Sequence, residues 1–273
     1  MPYVTRNNVN VYYESFGEGL AIFFLHPWST NRYIWANQLL DFSRKYRCIV
    51  SDHRGHGLSD KPAEGYAIGE MAADVVAILD DAGVERAVLV GNSIGAMIAM
   101  QTSLDAPERV IGNLILSSGT NLGAESPPEA AAAIEQDWRG FFSGLLSTAV
   151  SEKSKVERPE ILNFMEGCFR VEDNFTEGVF FASLADPNGV FNWNISDRLK
   201  DITQPTLIIA GEEDGATTVA QNQFLADNIP HANIKIYSDV GHFCQLEKPT
   251  EFNDDLRSFV TKLSLEEKTV VKC

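Results

Sequence analysis

Cysteine is scarce in this chain, and the few cysteines it has are far apart. Among 273 residues there are four, and no two of them have the spacing of paired metal ligands. The sequence therefore offers neither a disulfide framework nor a zinc motif, and a large domain with few, unpatterned cysteines is typical of a reduced compartment. We expect a cytoplasmic protein whose thiols are packed in the interior. The four residues are Cys48, Cys168, Cys244 and Cys273.

Long apolar runs and an excess of positive charge are also missing. No apolar stretch approaches the roughly 20 residues that cross a bilayer, and residues 1–8 lack the apolar core of a signal peptide. The formal net charge is −16 at pH 7, and such an acidic surface disfavours nucleic acid and anionic membranes as partners. We therefore expect no nucleic-acid partner and no membrane partner. Whether the chain forms a homo-oligomer stays open.

What the sequence does contain is a regular alternation of short apolar strands and amphipathic helices. Apolar runs bounded by turn residues are typical of buried parallel strands, whereas an apolar stripe at a spacing of three and four is typical of surface helices. This alternation predicts an α/β protein with a mostly parallel, doubly wound sheet that helices cover on both faces. The predicted strands are residues 9–16, 20–25, 48–51, 87–90, 110–116, 205–211 and 234–237, and the predicted helices are 33–42, 70–82, 96–104, 219–228 and 251–263.

The alternation stops for one long stretch in the second half of the chain. Residues 121–203 are rich in aromatic and helix-forming residues and lack the period-two pattern of a strand. We interpret this stretch as a helical lid, inserted after the strand that follows the central one. The sheet domain then comprises residues 1–120 and 204–265, and residues 266–273 are expected to form a charged, fraying tail.

The motif Gly91-Asn92-Ser93-Ile94-Gly95 follows the central apolar strand and precedes a run of helix-forming residues. Two glycines allow a sharp turn, so the serine between them is raised to the end of the strand and the start of the helix. The N–H groups and the positive dipole end at a helix start favour a developing anion. A glycine-rich turn with an incidental serine also fits these five residues. The choice between this interpretation and a nucleophilic serine depends on the residues that follow the neighbouring strands.

Two later strands end in residues that could activate a serine hydroxyl. A serine nucleophile needs a base that takes its proton and a carboxylate that orients the base. His242 follows the last strand, and such residues gather beyond the carboxyl ends of the strands in an open parallel sheet. The strand before it is followed by Asp214, with Glu212 and Glu213 as neighbours, and Asp239 precedes the histidine. The residues alone leave the choice of acid open.

Together these segments resemble the α/β-hydrolase superfamily over nearly the whole chain outside the lid. The turn Asp52-x-Arg54-Gly55-x-Gly57-x-Ser59 and the elbow at Ser93 match the family pattern, as do Gly211-x-x-Asp214 and Gly241-His242, in the family's order. The similarity is to the lid-bearing group that includes carboxylesterases, enol-lactonases, cofactor-free perhydrolases and C–C bond hydrolases. His26-Pro27-Trp28 stands where the family has its oxyanion loop, except that proline replaces the usual glycine.

The resemblance implies a role for each of these residues. Ser93 would be the nucleophile, His242 the general base and then acid, and Asp214 the acid that orients the imidazole. The backbone N–H groups of Trp28 and Ile94 would form the oxyanion hole, so the missing N–H of Pro27 leaves both donors in place. The resemblance implies neither a metal nor an organic cofactor.

The reaction implied is hydrolysis of a small to medium apolar ester or lactone through an acyl-enzyme. One alternative is cleavage of a C–C bond in a vinylogous diketone, which Asn92 before the serine favours, and another is cofactor-free perhydrolysis. A non-catalytic ligand-binding receptor of the same fold is a further alternative, against which the intact triad argues. Aromatic residues are expected to form the pocket walls, namely Trp28, Trp138, Phe142, Phe169, Phe181 and Trp193.

Overall fold

The computed structural model describes residues 3–120, 136–170 and 174–270, and its centre is one sheet of eight strands. In chain order these are β1 (Tyr3–Arg6), β2 (Val9–Phe16), β3 (Ala21–Leu25), β4 (Arg47–Ser51), β5 (Ala87–Asn92), β6 (Val110–Leu116), β7 (Thr206–Gly211) and β8 (Ala232–Tyr237). Their order across the sheet is β1-β2-β4-β3-β5-β6-β7-β8. The pairs β1–β2 and β2–β4 are antiparallel, and all the remaining pairs are parallel. The predicted mostly parallel sheet is confirmed.

Helices connect the parallel strands, and a group of them fills the interval between β6 and β7. The described helices are α1 (Ala36–Phe42), α2 (Ile68–Asp81), α3 (Ile94–Asp105), α4 (Trp138–Ala149), α5 (Glu152–Glu157), α6 (Glu160–Arg170), α7 (Glu177–Ala185), α8 (Val219–Asn228), α9 (Cys244–Glu247) and α10 (Pro249–Val270). Short 3₁₀ segments lie at Arg32–Trp35, Pro107–Arg109 and Ser196–Asp201. Within the residues described, no helix has both the length and the apolar character that a membrane crossing requires.

The central strands are apolar because helices cover the sheet. Every residue of β3, β5 and β6 is buried, as expected for parallel strands with both faces packed. Helix α3 packs against β3, β5 and β6, and α10 packs against β6. The segments that follow β3 and β5 lead into the candidate site, so these buried strands fix where the segments start.

The interval that the sequence assigns to a lid is helical in its described parts. Helices α4 to α7 all fall within it, and its described residues, 136–170 and 174–203, contain no strand. Its role as a lid stays a prediction. Residues 121–135 and 171–173 of the interval lie outside the described part of the chain.

The last helix extends further than the sequence predicts. Helix α10 continues through Val270, so residues 266–270, which the sequence assigns to a fraying tail, have a helical backbone. The run from Leu265 to Lys268 consists of leucine, glutamate and lysine, all of which have high helix propensity. This propensity explains why the helix extends beyond residue 263, its predicted end.

The parallel register gathers four chain segments at one edge of the sheet. Leu25 at the end of β3 lies opposite Gly91 of β5, and Asn92 pairs with Leu116 at the end of β6. Gly211 at the end of β7 pairs with the last residue of β8. The residues that follow β3, β5, β7 and β8 therefore leave the sheet on the same side, the side on which open α/β sheets bind their ligands.

Candidate active site

Ser93 lies in a strained turn between β5 and α3. Its backbone φ is 55° and its ψ is −117°, a combination that few residues other than glycine adopt. A Cβ on Gly91 would lie 2.3 Å from the carbonyl group of Gly95, and a Cβ on Gly95 would lie 2.2 Å from the carbonyl oxygen of Leu25. Because no side chain fits at either glycine, the start of α3 can lie directly against the end of β3.

His242 is held by Asp214 through a buried hydrogen bond. The imidazole Nδ1 and the carboxylate Oδ2 are 2.8 Å apart, and the two residues are only 5% and 7% exposed. The other carboxylate oxygen, Oδ1, accepts the N–H groups of Ala216 and Thr217 at 2.8 and 2.9 Å. The Thr217 hydroxyl donates to Oδ2 at 2.7 Å. These donors fix the carboxylate, which places the ring proton on Nδ1 and makes Nε2 the nitrogen that can accept one.

The same contacts keep Asp214 ionised. Burial favours the neutral acid and by itself raises the pKa of this carboxyl group. The charge and hydrogen bond of His242, together with the hydrogen bonds from Thr217, outweigh burial, so the pKa of Asp214 is lowered from its ordinary value. A carboxylate that stays charged can stabilise the imidazolium that forms when His242 takes a proton.

The competing carboxylates lie elsewhere. Glu212 and Glu213 are exposed, and so is Asp239, which occupies a turn with φ of 56°. Of these four candidate acids, Asp214 is the one that the structure brings to the imidazole of His242.

Groups that the sequence does not single out hold the loop of His242. The His242 N–H donates to the carbonyl oxygen of Ala149 at 2.6 Å, and its own carbonyl oxygen accepts Asn92 Nδ2 at 3.2 Å. The buried Glu247 carboxylate accepts the N–H of Gly241 at 3.0 Å. Asn92 therefore ties the serine turn to the histidine loop. The contacts that Ala149 and Asn92 make with His242 join residues far apart in the chain, and no local sequence pattern could have revealed them.

Ser93 and His242 line one cavity with a volume of about 200 Å³. Pro27 and Thr217 also line this cavity. Most of its remaining walls are apolar and come in large part from α4 and from the segment after α7. These wall residues are Trp28, Phe141, Leu145, Leu146, Ala149, Val190, Phe191, Ala216 and Phe243. A cavity with mostly apolar walls and a few polar groups suits a small ligand with an apolar part.

Three of the residues predicted to form the pocket wall lie close to one another. Trp28 lines the cavity and stacks on Phe180, with the ring centroids 5.2 Å apart. Trp138 and Phe181 contact the same phenylalanine, at 5.0 and 5.2 Å between centroids. Trp138 and Phe181 are not among the residues that line the cavity; they pack behind Phe180, which contacts the lining residue Trp28.

The other three predicted wall residues are placed differently or are not described. The Trp193 indole N–H donates to Gln101 Oε1 at 2.8 Å, away from the cavity lining. The side chains of Phe142 and Phe169 lie outside the described part of the chain. Phe141, the neighbour of Phe142 on α4, lines the cavity although the sequence analysis did not single it out.

The backbone N–H groups predicted for the oxyanion hole belong to Trp28 and Ile94. Ile94 is the first residue of α3, where N–H groups have no partner within the helix. Trp28 belongs to residues 26–30, which follow β3 and which we call the oxyanion loop. Because Gly95 lies against Leu25, the helix start and the oxyanion loop are neighbours at the sheet edge.

Three buried histidines hold the oxyanion loop. His26 and His53 stack with their ring centroids 3.9 Å apart, and His56 lies edge-on to His26 at 5.0 Å. His26 Nε2 accepts the N–H of His53 at 3.0 Å, and His56 Nε2 accepts the N–H of Ser29 at 3.1 Å. Burial penalises the charged ring and lowers the pKa of His53 to about 4 and that of His56 to about 3. Burial, with the neighbouring histidines, also lowers the pKa of His26.

We expect these histidines to make the protein sensitive to mild acid. Below about pH 6.5 the unfolded chain binds protons on them and the folded protein does not, so the free energy of unfolding falls as the pH falls. Each histidine contributes a slope of up to about 1.4 kcal/mol per pH unit until its folded pKa is reached. Urea unfolding between about pH 7 and 5 measures this loss, and His56→Gln should make it shallower.

The control for this prediction is His231→Gln, which removes an exposed histidine outside the cluster. If His56→Gln and the wild-type protein lost stability with the same slope, His56 would not contribute to the acid sensitivity.

The arrangement supplies a serine hydroxyl and an imidazole that line one mostly apolar cavity, and an ionised carboxylate that binds the imidazole. Within the described residues no hydrogen bond joins Ser93 Oγ to the His242 imidazole, and contacts of this kind commonly tighten only when substrate binds. In the same part of the chain, no three His, Cys, Asp or Glu side chains gather in a way that could hold a metal ion. The groups at hand are those that nucleophilic acyl transfer uses.

Comparison with known proteins places the chain in a family. Residues 22–255 match the alpha/beta hydrolase family. The chain is 25% identical to 3-oxoadipate enol-lactonase 2 of Acinetobacter baylyi, over 96% of its own length and 97% of that protein. A solved structure of Est816, described as an N-acyl homoserine lactone degrading enzyme, is 61% identical with a TM-score of 0.93, over 94% of this chain and 100% of that one. The enol-lactonase of Burkholderia xenovorans LB400 has the same fold, with a TM-score of 0.85 at 23% identity, over 95% of this chain and 100% of that one.

The sheet, the serine turn and these matches define the class of protein. The chain belongs to the alpha/beta hydrolase family. Its relatives also include 2-hydroxy-6-oxo-6-phenylhexa-2,4-dienoate hydrolase of Comamonas testosteroni, which is 28% identical over 89% of this chain and 88% of that protein. Membership in this family makes the protein a hydrolase, and the bond that it cleaves has to be argued from the site.

Proposed function

We propose that this protein is a serine hydrolase that cleaves small to medium apolar esters and lactones through an acyl-enzyme. The observation that carries the proposal is the buried hydrogen bond between His242 and Asp214, beside Ser93 in a cavity with apolar walls. An imidazole held by a carboxylate next to a serine hydroxyl is the arrangement that activates serine for acyl transfer.

In the first half of the reaction, Ser93 attacks the carbonyl carbon of the substrate. His242 Nε2 takes the hydroxyl proton, and Asp214 stabilises the imidazolium that results. The carbonyl oxygen becomes an oxyanion, which the N–H groups of Trp28 and Ile94 bind more tightly than they bind the carbonyl. When this intermediate collapses, the bond to the leaving oxygen breaks, that oxygen receives the proton from His242, and Ser93 keeps the acyl group.

In the second half, water takes the place of the serine hydroxyl. His242 accepts a proton from the water while its oxygen attacks the acyl carbon, and the same two N–H groups bind the second oxyanion. Breakage of the bond to Ser93 Oγ releases the acid and returns the proton to the serine. With a lactone, the alcohol and the acid are parts of one molecule, so the product is a single ring-opened hydroxy acid.

The lactone part of the proposal is supported by the similarity to Est816. That protein is 61% identical to this chain and is described as degrading N-acyl homoserine lactones. Such a lactone combines a polar ring with an apolar acyl chain, and the cavity lining combines the polar residues Ser93, Thr217 and His242 with a majority of apolar side chains. We therefore place N-acyl homoserine lactones first among the candidate substrates and simple esters second.

We further propose that the described residues of the insertion, 136–170 and 174–203, cover the cavity as a lid. Helix α4 contributes Phe141, Leu145 and Leu146 to the cavity walls, and Phe191 comes from the segment after α7. An apolar substrate that enters beneath these side chains displaces water from the serine. Exclusion of water strengthens the hydrogen bonds on which acyl transfer depends.

Two assays test the proposed function. p-Nitrophenyl esters of short acids should give an initial burst of nitrophenol followed by steady turnover, because an acyl-enzyme forms faster than it is hydrolysed. N-Hexanoyl homoserine lactone should be opened with the release of protons, which a pH-stat records. A fluorophosphonate should label Ser93 and stop both reactions.

Other outcomes of these assays would contradict the proposal. Ligand binding without turnover of either substrate class would indicate a non-catalytic receptor. Turnover of a dienol-type ring-fission compound, with no ester or lactone hydrolysis, would indicate a C–C bond hydrolase.

A further inference from the structure

Asn174, a residue of the insertion, holds the oxyanion loop from outside the sheet domain. It is only 5% exposed. Its Nδ2 donates to the carbonyl oxygen of Ser29 at 2.9 Å and makes a longer contact of 3.4 Å with the carbonyl oxygen of Thr30. Both carbonyl groups belong to the loop that carries Trp28.

The other polar groups of Asn174 are also bonded. Nδ2 donates to the carbonyl oxygen of Cys168 in α6 at 2.8 Å, and Oδ1 accepts Asn31 Nδ2 at 2.9 Å. The backbone carbonyl oxygen of Asn174 accepts the N–H of Gly57 at 2.9 Å. One buried residue thus connects the oxyanion loop, the insertion and the turn after β4. Because Nδ2 donates to backbone carbonyl oxygens and Oδ1 accepts an amide N–H, the side-chain amide is held in a single orientation.

Phe175, the next residue, packs on the same loop. It is fully buried, its ring meets that of Trp28 edge-on at 5.5 Å between centroids, and it lies 4.8 Å from the ring of His56. The segment 174–175 therefore contacts the loop twice, through the backbone of Ser29 and through the side chain of Trp28.

The oxyanion loop needs such support because its backbone is unusual. Pro27 has no N–H to donate, and Ser29 has φ of 62°, in the left-handed region. Ser29 is held at both of its backbone groups, since His56 accepts its N–H and Asn174 donates to its carbonyl oxygen. The Trp28 N–H belongs to the peptide that starts with the carbonyl group of Pro27, whose oxygen accepts the Thr30 hydroxyl at 2.9 Å. Because Asn174 holds the carbonyl groups of Ser29 and Thr30, it helps to set the position of that peptide and the direction of its N–H.

We propose that Asn174 is a positioning residue for the oxyanion hole, which aims the N–H of Trp28 by fixing the carbonyl group of Ser29. The insertion then governs stabilisation of the oxyanion as well as access to the cavity. This inference rests on the proposed function, because it takes Trp28 as an oxyanion donor. A displacement of about 1 Å at a catalytic group can cost about 10²-fold in rate, so a residue that does not touch the substrate can set kcat.

Asn174→Asp tests this role with almost no change in shape. The substitution replaces the NH₂ group by an oxygen, which repels the carbonyl oxygens of Ser29 and Cys168. We expect kcat for a p-nitrophenyl ester to fall by about 10²-fold and KM to change by less than about threefold. A trifluoromethyl ketone, whose adduct with Ser93 carries an oxyanion, should lose affinity in parallel with kcat. A purely structural role would lower the melting temperature and leave kcat and ketone affinity of the folded enzyme unchanged.

Asn31→Asp is a milder variant that keeps the test valid if Asn174→Asp does not fold. It retains the oxygen that accepts the N–H of Tyr33 at 3.0 Å and removes the donor to Asn174 Oδ1. The Asn174 amide is then drawn to turn its NH₂ group away from the oxyanion loop, so kcat and ketone affinity should fall together by about tenfold. The matched control is Asn228→Asp, which removes an amide donor to the carbonyl oxygen of Phe224 on the exposed side of α8 and should change neither quantity.

The outcomes separate this inference from the function on which it rests. If the wild-type protein shows no ester or lactone hydrolysis that depends on Ser93, the proposed function fails. If the wild type shows that activity, and both folded variants keep wild-type kcat and ketone affinity, the proposed function stands and the role given to Asn174 is wrong.

Discussion

Ser93→Ala is expected to reduce kcat for esters and lactones by about 10⁶-fold while the protein stays folded. The hydroxyl oxygen forms the bond to the acyl carbon, and without it the remaining groups can only assist direct attack by water. Alanine keeps the β-carbon, so the backbone strain at φ of 55° is neither relieved nor increased. The free energy of unfolding should therefore change by no more than about 0.5 kcal/mol. Initial rates with both substrate classes, measured beside urea unfolding, check the two parts of this prediction.

Cys244→Ala is the control for a rival nucleophile. Cys244 lies two residues after His242, but it is fully buried, and burial raises the pKa of its thiol well above the ordinary value, with the nearby charges of Asp214 and Glu247 adding to the effect. A buried, neutral thiol is a poor nucleophile, so this variant should keep most of the wild-type kcat. Residual activity above about 1% in Ser93→Ala, or loss of activity in Cys244→Ala, would mean that the nucleophile is assigned wrongly.

The parallel part of the fold could be predicted because its signals are local. Strand β6 and helix α8 have the predicted bounds, Val110–Leu116 and Val219–Asn228. The strand is a continuous apolar run between turn residues. The helix begins at a capping box, in which the side chains of Thr218 and Gln221 accept each other's backbone N–H groups. Each of these patterns involves residues close together in the sequence, so it can be recognised without the tertiary structure.

Strand β1 was missed because the turn after it was not recognised. Asn7 and Asn8 have φ values of 49° and 62°, the left-handed pair of a two-residue hairpin turn, which asparagine tolerates well. Tyr3–Arg6 pairs with the start of β2 across this turn. The Asn-Asn pair between two short segments was the signal that could have identified this hairpin.

The candidate site divides into residues that the topology predicts and residues that only the folded chain brings together. Ser93, Asp214 and His242 each follow a parallel strand, so an open sheet delivers all three to one edge. Their catalytic roles stay predictions, which the substitutions test. Asn174 binds the carbonyl oxygen of Ser29 and Glu247 accepts the N–H of Ser151, both distant in sequence, and neither stands in a recognisable motif.

The pocket walls were the least predictable part for a related reason. Aromatic content marks the insertion as a source of wall residues, but the choice among them depends on which face of each helix meets the cavity. On α4, Phe141 and Leu145 lie four residues apart on one face, and both line the cavity. Trp138 lies on the same face one turn earlier, and it contacts Phe180 instead. Which turns of the helix reach the cavity is set by packing between elements, which sequence spacing does not specify.

Asp214→Asn is expected to lower kcat by about 10⁴-fold. The N–H groups of Ala216 and Thr217 both donate to Oδ1, so the amide oxygen of the asparagine has to occupy that place and its NH₂ group has to replace Oδ2. The NH₂ group then donates to His242 Nδ1, and the ring proton moves to Nε2. An imidazole in that tautomer cannot take a proton from Ser93. Steady-state kinetics and the rate of labelling by a fluorophosphonate should fall together.

The variant should lose kcat without unfolding. An unchanged free energy of unfolding would show that the activity is lost through the tautomer of His242 and not through disruption of the site. The Thr217 hydroxyl, which donates to Oδ2, can turn and accept a hydrogen from the new NH₂ group, so the buried hydrogen bonds are kept. Glu212→Gln and Glu213→Gln are the controls, because each removes an exposed carboxylate from the same loop and should leave kcat near the wild-type value. If Asp214→Asn stayed within about tenfold of the wild type and one of these controls lost activity instead, the orienting acid would be that glutamate, and the buried hydrogen bond between Asp214 and His242 would have only a structural role.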